Sequence, residues 1–176
     1  MRKILFENLV KWPVTEAAPE PDDAAVAELA ESVNRAALAR LGRSLAIREV
    51  DAGSCNGCEL EIHALNNAIY DLERFGLRFV ASPRHADVLM VTGPLTKNMR
   101  EALERTYAAT PDPKWVVAVG DCAADGGLFA QSYACVGGIS AAVPVDLTIR
   151  GCPPTPTQLL KGLLALITGA KPRARD

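Results

Sequence analysis

Five cysteines carry most of the chemistry this sequence can offer: Cys55, Cys58, Cys122, Cys135 and Cys152. Cys55 and Cys58 form a C-x₂-C pair in DAGSCNGCELE, Cys122 sits in VGDCAADGG, and Cys152 sits in IRGCPPTP. Four thiolates suit a tetrahedral zinc ion or an iron–sulfur cluster. Structural zinc sites usually present two close pairs, whereas here one pair is joined by two solitary cysteines in Gly- or Pro-rich loops. Glycines beside a cluster let backbone N–H groups approach its sulfides, which raises its reduction potential. Cys58 also opens a predicted helix, whose N-terminal amides and dipole favour a thiolate. Cys135, in SYACVGG, is either a fourth ligand in place of Cys152 or a small buried hydrophobe. The GCPP context at a strand end favours Cys152.

These residues need a scaffold that gathers them, because Cys122 and Cys152 lie 67 and 97 positions beyond Cys55. From about Ser44 onward, short β-type runs alternate with helical periodicity. The strands expected are Leu45–Val50, Leu77–Ala81, Val88–Thr92, Trp115–Val119 and Val143–Ile149, and the helices are Cys58–Leu72, Thr96–Ala108 and Thr155–Thr168. Thr155-Pro156-Thr157-Gln158 reads as a capping box with proline at the first helical position, and Gly169 supplies the stop. Alternation of this kind predicts an α/β fold, a parallel sheet flanked by helices with right-handed crossovers. Each cysteine motif then follows a strand, so all fall at the carboxyl edge, where open α/β sheets build their sites.

A chain of 176 residues fits one domain, since domains usually run to about 100–200 residues. With 49% hydrophobic and 23% charged residues it can bury a core. A net charge of −2 and a pI near 5.7 argue against a nucleic-acid binder. No apolar run approaches the roughly 18 residues that span a bilayer, and MRKILFENLVKW lacks a secretory pattern. The expectation is a cytoplasmic, soluble domain in a reducing compartment, where an odd cysteine count points away from disulfides.

Residues 1–22 read as an arm. Ile4, Leu5, Phe6, Leu9, Val10 and Trp12 precede the acidic PVTEAAPEPDD, which suits either a solvated linker or a docking arm. A helix follows over Ala24–Leu41, with Asp22 and Asp23 as cap candidates. The expected layout is an N-terminal arm and helix over 1–43, a cluster-binding α/β domain over 44–170, and a tail over 171–176.

GSCNGCE, SPRHAD, TGPLTKNMREAL, DPKWVVAVGDCAADGG and VPVDLTIRGCPPTP together resemble the cluster-carrying small subunit of energy-converting [NiFe] hydrogenases of the formate-hydrogenlyase type. They also resemble the homologous 20 kDa (B-type) subunit of complex I. The resemblance spans residues 45–168. It implies a flavodoxin-like domain holding one [4Fe–4S] cluster through Cys55, Cys58, Cys122 and Cys152, excluding Cys135. It further implies electron transfer between a ferredoxin-like iron–sulfur subunit and a large subunit, in a membrane complex facing the cytoplasm. The isolated chain would then be inactive. Complex I subunits typically carry adjacent cysteines at the first site, whereas Cys55-Asn56-Gly57-Cys58 has the hydrogenase spacing. Uptake-hydrogenase small subunits continue into a second cluster domain, whereas this chain runs 24 residues past Cys152. Both features favour the single-cluster hydrogenase branch over a quinone-reducing complex I counterpart. A zinc-stabilised binding module is the reading from another class.

Other polar residues flank the cysteines. Glu59 and His63 share a helical face, suiting either a proton relay or an ordinary surface position, while Glu61 points elsewhere. Leu60, Ala64, Leu65, Ala68, Ile69 and Leu72 are the expected buried face of that helix. Arg84 and His85 precede a strand and belong to the opposite edge, with Asp87 as the nearby carboxylate for Arg84. Thr92, Gly93 and Pro94 follow that strand at the cysteine edge, and Met99 with the TKNM segment is a candidate partner-facing stretch.

Overall fold

VLMVT and WVVAV are apolar at nearly every position, as strands covered on both faces must be. They form β3 (Val88–Thr92) and β5 (Trp115–Val119), buried at every residue. The computed structural model describes residues 23–169; the arm over 1–22, with Asp22, and residues 170–176, with the expected tail, lie outside the described residues. β1 (Ala46–Asp51) pairs with β3 and with β2 (Arg78–Phe79), β3 pairs with β5, and β5 pairs with β7 (Leu147–Ile149), all parallel. The sheet order is β2-β1-β3-β5-β7. Counting only its own members, that is 2-1-3-4-5, the flavodoxin-like order.

Alternate side chains serve opposite faces. Ile47, Val88, Met90, Trp115 and Val117 face one cluster with α1 (Asp23–Leu41), α2 (Gly57–Ala64) and α5 (Pro156–Gly169). Leu89, Val91, Val116 and Ala118 face the other with α3 (Arg100–Ala109) and α4 (Asp121–Asp125). Ala30, Val33 and Ala37 of α1 are fully buried against the first face, so this helix shares the core of the sheet. Arg40 reinforces the contact, stacking 5.3 Å from the Trp115 ring centroid while donating to Ile167 O in α5. At the start of α5, Thr155 N–H donates to Gln158 Oε1 at 2.8 Å and Gln158 N–H to Thr155 Oγ1 at 3.4 Å, the expected capping box.

The structure departs from the sequence expectation in local detail. α2 stops at Ala64 rather than Leu72, because Asn67 Oδ1 accepts from the N–H groups of Ile69 and Tyr70 and turns the chain. Leu60 and Ile69, expected inside, are each 63% exposed, while Ile62, Leu65 and Leu72 are buried. α3 starts at Arg100 rather than Thr96 because Leu95–Thr96 form β4, antiparallel to β6 (Cys135–Gly137). β7 covers only the end of the expected Val143–Ile149 strand, following a run that contains Pro144, which has no N–H to give a ladder. Asp87 pairs with Arg43 (2.5 and 3.1 Å), not Arg84, and also accepts from Ala46 N–H at 3.0 Å.

Candidate functional site

Each cysteine motif is held by its own strand end. After β1, Asp51 Oδ1 accepts from the N–H groups of both Gly53 and Ser54 at 2.6 Å, and Ser54 Oγ accepts from Asn56 N–H at 3.1 Å. These bonds fold DAGSCNG into a tight loop that presents Cys55. Asn56 adopts a left-handed conformation (φ 71°) and α2 begins behind it, with Cys58 in its first turn. After β5, Gly120 N–H donates to Ile149 O at 2.8 Å and Asp121 N–H donates to Gly151 O at 2.9 Å. The β5–β7 ladder is thereby carried past the strand ends, setting the Cys122 and Cys152 loops side by side. The Cys152–Pro153 peptide bond is cis.

The three loops converge. Cys55, Cys58, Cys122 and Cys152 line one cavity of about 110 Å³, with Gly93 and Asp121 also in its wall. Cys135 does not line it; it sits on β6, paired with Thr96 of β4. Two glycines make the approach possible. A Cβ built on Gly120 (φ 88°) would lie 2.6 Å from Cys58 Sγ, and one on Gly127 (φ 48°) would lie 2.9 Å from Cys122 Sγ. Both backbones therefore lie against sulfur where a side chain could not. Gly93, expected at this edge, follows β3, which lies between β1 and β5 in the sheet.

Among the described residues, no group of three or more His, Cys, Asp or Glu side chains stands close enough together, as placed, to hold a metal ion. The cysteines instead surround a space, and four soft sulfurs around a glycine-walled space suit an iron–sulfur cluster.

Electrostatics at the site run against the expectation from the helix start. Burial pushes the Cys58 thiol up to about 12, and the charges of Glu59, Cys55, Cys122 and Cys152 add to the shift. Cys122 is also raised, first by burial and then by Cys152 and Cys55, with the Leu128 backbone N–H opposing. Desolvation outweighs the dipole of a short helix, so both thiols keep their protons at neutral pH.

Glu59 is the residue that the sequence placed least well. It is buried, and neither carboxylate oxygen has a hydrogen-bond partner. Its neighbour Glu49 is raised, chiefly by burial, with His63 lowering and Glu59 raising it. His63 Nε2 lies 3.7 Å from Glu49 Oε2 at a hollow of about 300 Å³ beside β2, also walled by Arg48, Asn66 and Phe79. Pairing with Glu49 could not be read from sequence, since β1 and α2 meet only in three dimensions. Arg84 and His85 are exposed before β3, away from the cysteine edge, as expected. Met99 is half-buried at the start of α3.

Comparison with known proteins converges on one family. Residues 55–166 match the family described as NADH ubiquinone oxidoreductase, 20 Kd subunit. The chain is 44% identical over 137 residues to formate hydrogenlyase subunit 7 of Escherichia coli, covering 78% of this chain and 54% of that protein, about half of the relative's length. It is 45% identical over 124 residues to the probable membrane-bound hydrogenase subunit mbhJ of Pyrococcus furiosus, covering 70% and 74%. It is 50% identical over 109 residues to the B-type subunit of NADH-quinone oxidoreductase from Citrifermentans bemidjiense, covering 62% and 64%. Among solved structures, a chain of the archaeal membrane-bound sulfane sulfur reductase superposes with a TM-score of 0.63 at 34% identity, covering 79% and 77%. A chain of an NAD+-reducing [NiFe]-hydrogenase, at 22% identity and TM-score 0.58 with 76% and 96% covered, shares the fold.

Proposed function

The chain belongs to the family of the 20 Kd subunit of NADH ubiquinone oxidoreductase, whose members include subunits of oxidoreductase complexes, and from that premise we propose that it is a one-cluster electron-transfer subunit of a membrane-associated, hydrogenase-type complex. Cys55, Cys58, Cys122 and Cys152 hold one [4Fe–4S] cluster, and the observation that carries this reading is their convergence on one cavity from three separate strand ends. When bound, such a cluster accepts and releases one electron at a time. The chain's own residues do the rest. The thiols would give up their protons to hold iron, while Gly120 and Gly127 bring backbone against the sulfurs and the sheet edge fixes the spacing.

The exposed apolar residues Leu128 (86% exposed), Phe129 (42%) and Tyr133 (90%) follow the Cys122 helix. They support coverage of this edge by a partner, which excludes water from the site and brings the next redox centre within reach. The proposed partners are a hydrogenase-type large subunit on one side and a ferredoxin-like iron–sulfur subunit on the other. No helix among the described residues is long and apolar enough to cross a membrane. The proposed location is peripheral, on the cytoplasmic face, held there by membrane subunits.

The test is iron and sulfide content together with EPR of the reduced complex. About four irons and four sulfides per chain, and a reduced-cluster signal lost on Cys→Ala at 55, 58, 122 or 152 but kept at 135, support the assignment. Loss at Cys135→Ala with retention at Cys152→Ala overturns it, and zinc in place of iron favours the binding-module reading. The second reading, a B-type subunit of a complex I-like quinone oxidoreductase, draws on the 50% identity to the NADH-quinone oxidoreductase relative. A co-purifying large subunit with two C-x₂-C nickel motifs decides for hydrogenase, and one without them decides for the second reading.

A further inference from the structure

One cation ties two of the cysteine loops together. Arg150 Nη1 donates to Asp125 Oδ2 at 2.6 Å and lies 3.6 Å from Asp121 Oδ1. Asp121 immediately precedes Cys122 and lines the sulfur cavity, Asp125 closes the same short helix, and Arg150 stands two residues before Cys152. Asp121 Oδ1 also accepts from Gly151 N–H at 3.3 Å, so it meets the Cys152 loop through both backbone and side chain. Asp125 Oδ1 accepts from the N–H of Gly127, the glycine packed against Cys122 Sγ. A continuous path therefore runs from Arg150 through Asp125 and Gly127 to the Cys122 sulfur.

Arg150 and Asp125 are both more than half exposed, and exposed ion pairs contribute little to folding stability. Their value lies in where the charges stand. Without Arg150, two carboxylates would flank Cys122 with no counter-charge, and negative charge beside a cluster opposes its reduction. We propose that Arg150 is a positioning residue for the cluster ligands: it locks the Cys122 helix to the Cys152 loop, and its charge keeps the reduction potential from falling. This rests on the reading of the four cysteines as cluster ligands.

The experiment uses the purified complex containing the full chain, with Arg150→Gln, Arg150→Lys and Asp125→Asn as variants. The readouts are the midpoint potential of the cluster, from a mediated EPR titration, and the rate of iron loss to a chelator. Arg150→Gln should keep the signal, release iron several-fold faster, and shift the one-electron equilibrium toward the oxidised form by about tenfold, about 59 mV. Arg150→Lys should hold its potential near wild type, and Asp125→Asn should move it upward. An Arg150→Gln complex with unchanged potential overturns the proposal, as does an Arg150→Lys complex that falls as far. If Arg150→Gln loads no iron, the potential is read from Asp125→Asn, and an unshifted value overturns the proposal. A wild-type complex without any cluster signal overturns the ligand reading and this inference together, which is distinct from a signal present but indifferent to Arg150.

Discussion

Gly120 and Cys58 meet at the carboxyl edge of the sheet so closely that a Cβ on the glycine would lie 2.6 Å from the sulfur. One residue follows β5 and the other lies in the first turn of α2, so this contact joins two parts of the chain that carry different cysteine motifs. Gly120 also has φ 88°. Gly120→Ala should therefore cost about 1–3 kcal/mol of stability and lower iron content. Urea denaturation of the iron-free chain, read alongside iron analysis of the complex, checks both.

The raised Cys58 thiol has a consequence for pH. Its folded value is about 12 against an ordinary 9.0, so the folded chain keeps a proton that the unfolded chain gives up between those values. The stability tied to that proton is fully present below pH 9 and is lost as pH rises from about 9 towards 12. Denaturation of the iron-free chain between pH 8 and 10.5 should show falling stability, and Cys58→Ala should flatten the slope. A slope unchanged by Cys58→Ala would point to other groups.

Asp87 fastens the turn after α1 to the start of the sheet. It is buried, accepts from both terminal nitrogens of Arg43, and takes the N–H of Ala46 as well. Asp87→Ala strands that N–H and frees the guanidinium, and should cost about 2–4 kcal/mol. Arg43→Ala leaves a buried carboxylate that can still accept from Ala46, and should cost less. Chemical denaturation of the two single variants ranks them.

The apolar residues after α4 are expected to be an assembly surface. Tyr133→Asp and Leu128→Asp replace exposed side chains, so each should leave the thermal midpoint of the isolated chain within about 2 °C. Recovery of the large subunit in co-purification should fall about tenfold or more. Unaltered recovery of the complex from both variants would argue that another face makes the contact.

Much of this organisation is legible in the sequence. VLMVT and WVVAV are apolar enough to be central strands, and Thr155–Gln158 spells a helix start in local chemistry. Because each cysteine motif follows a strand, its edge is legible too. The features that are not legible depend on contacts distant in sequence. Leu60 and Ile69 fit a helical stripe, yet the helix ends at Ala64, the Asn67 turn follows, and both side chains face outward. β4 and β6 are two and three residues long and exist by pairing with each other. Glu59 resembles a first-turn surface carboxylate, and only its surroundings bury it. Arg150 lies 25 residues from Asp125, a separation at which no periodicity can announce a pair.

The sheet order has one more implication. The loops that carry the cysteines leave β1, β5 and β7, the last of which is the last of the five sheet strands in chain order among the described residues. Under the proposed ligand set, the four sulfurs would be complete only once β7 has joined β5, so maturation of such a centre would wait until that strand has been made. Once in place, a centre bonded to Cys55 and Cys152 would tether points 97 residues apart. In the chain-entropy picture, a crosslink closing a loop of that size is worth about 4–5 kcal/mol. A cofactor placed to carry electrons would then also serve as the staple across the domain, and its oxidative loss would loosen the protein as well as silence it.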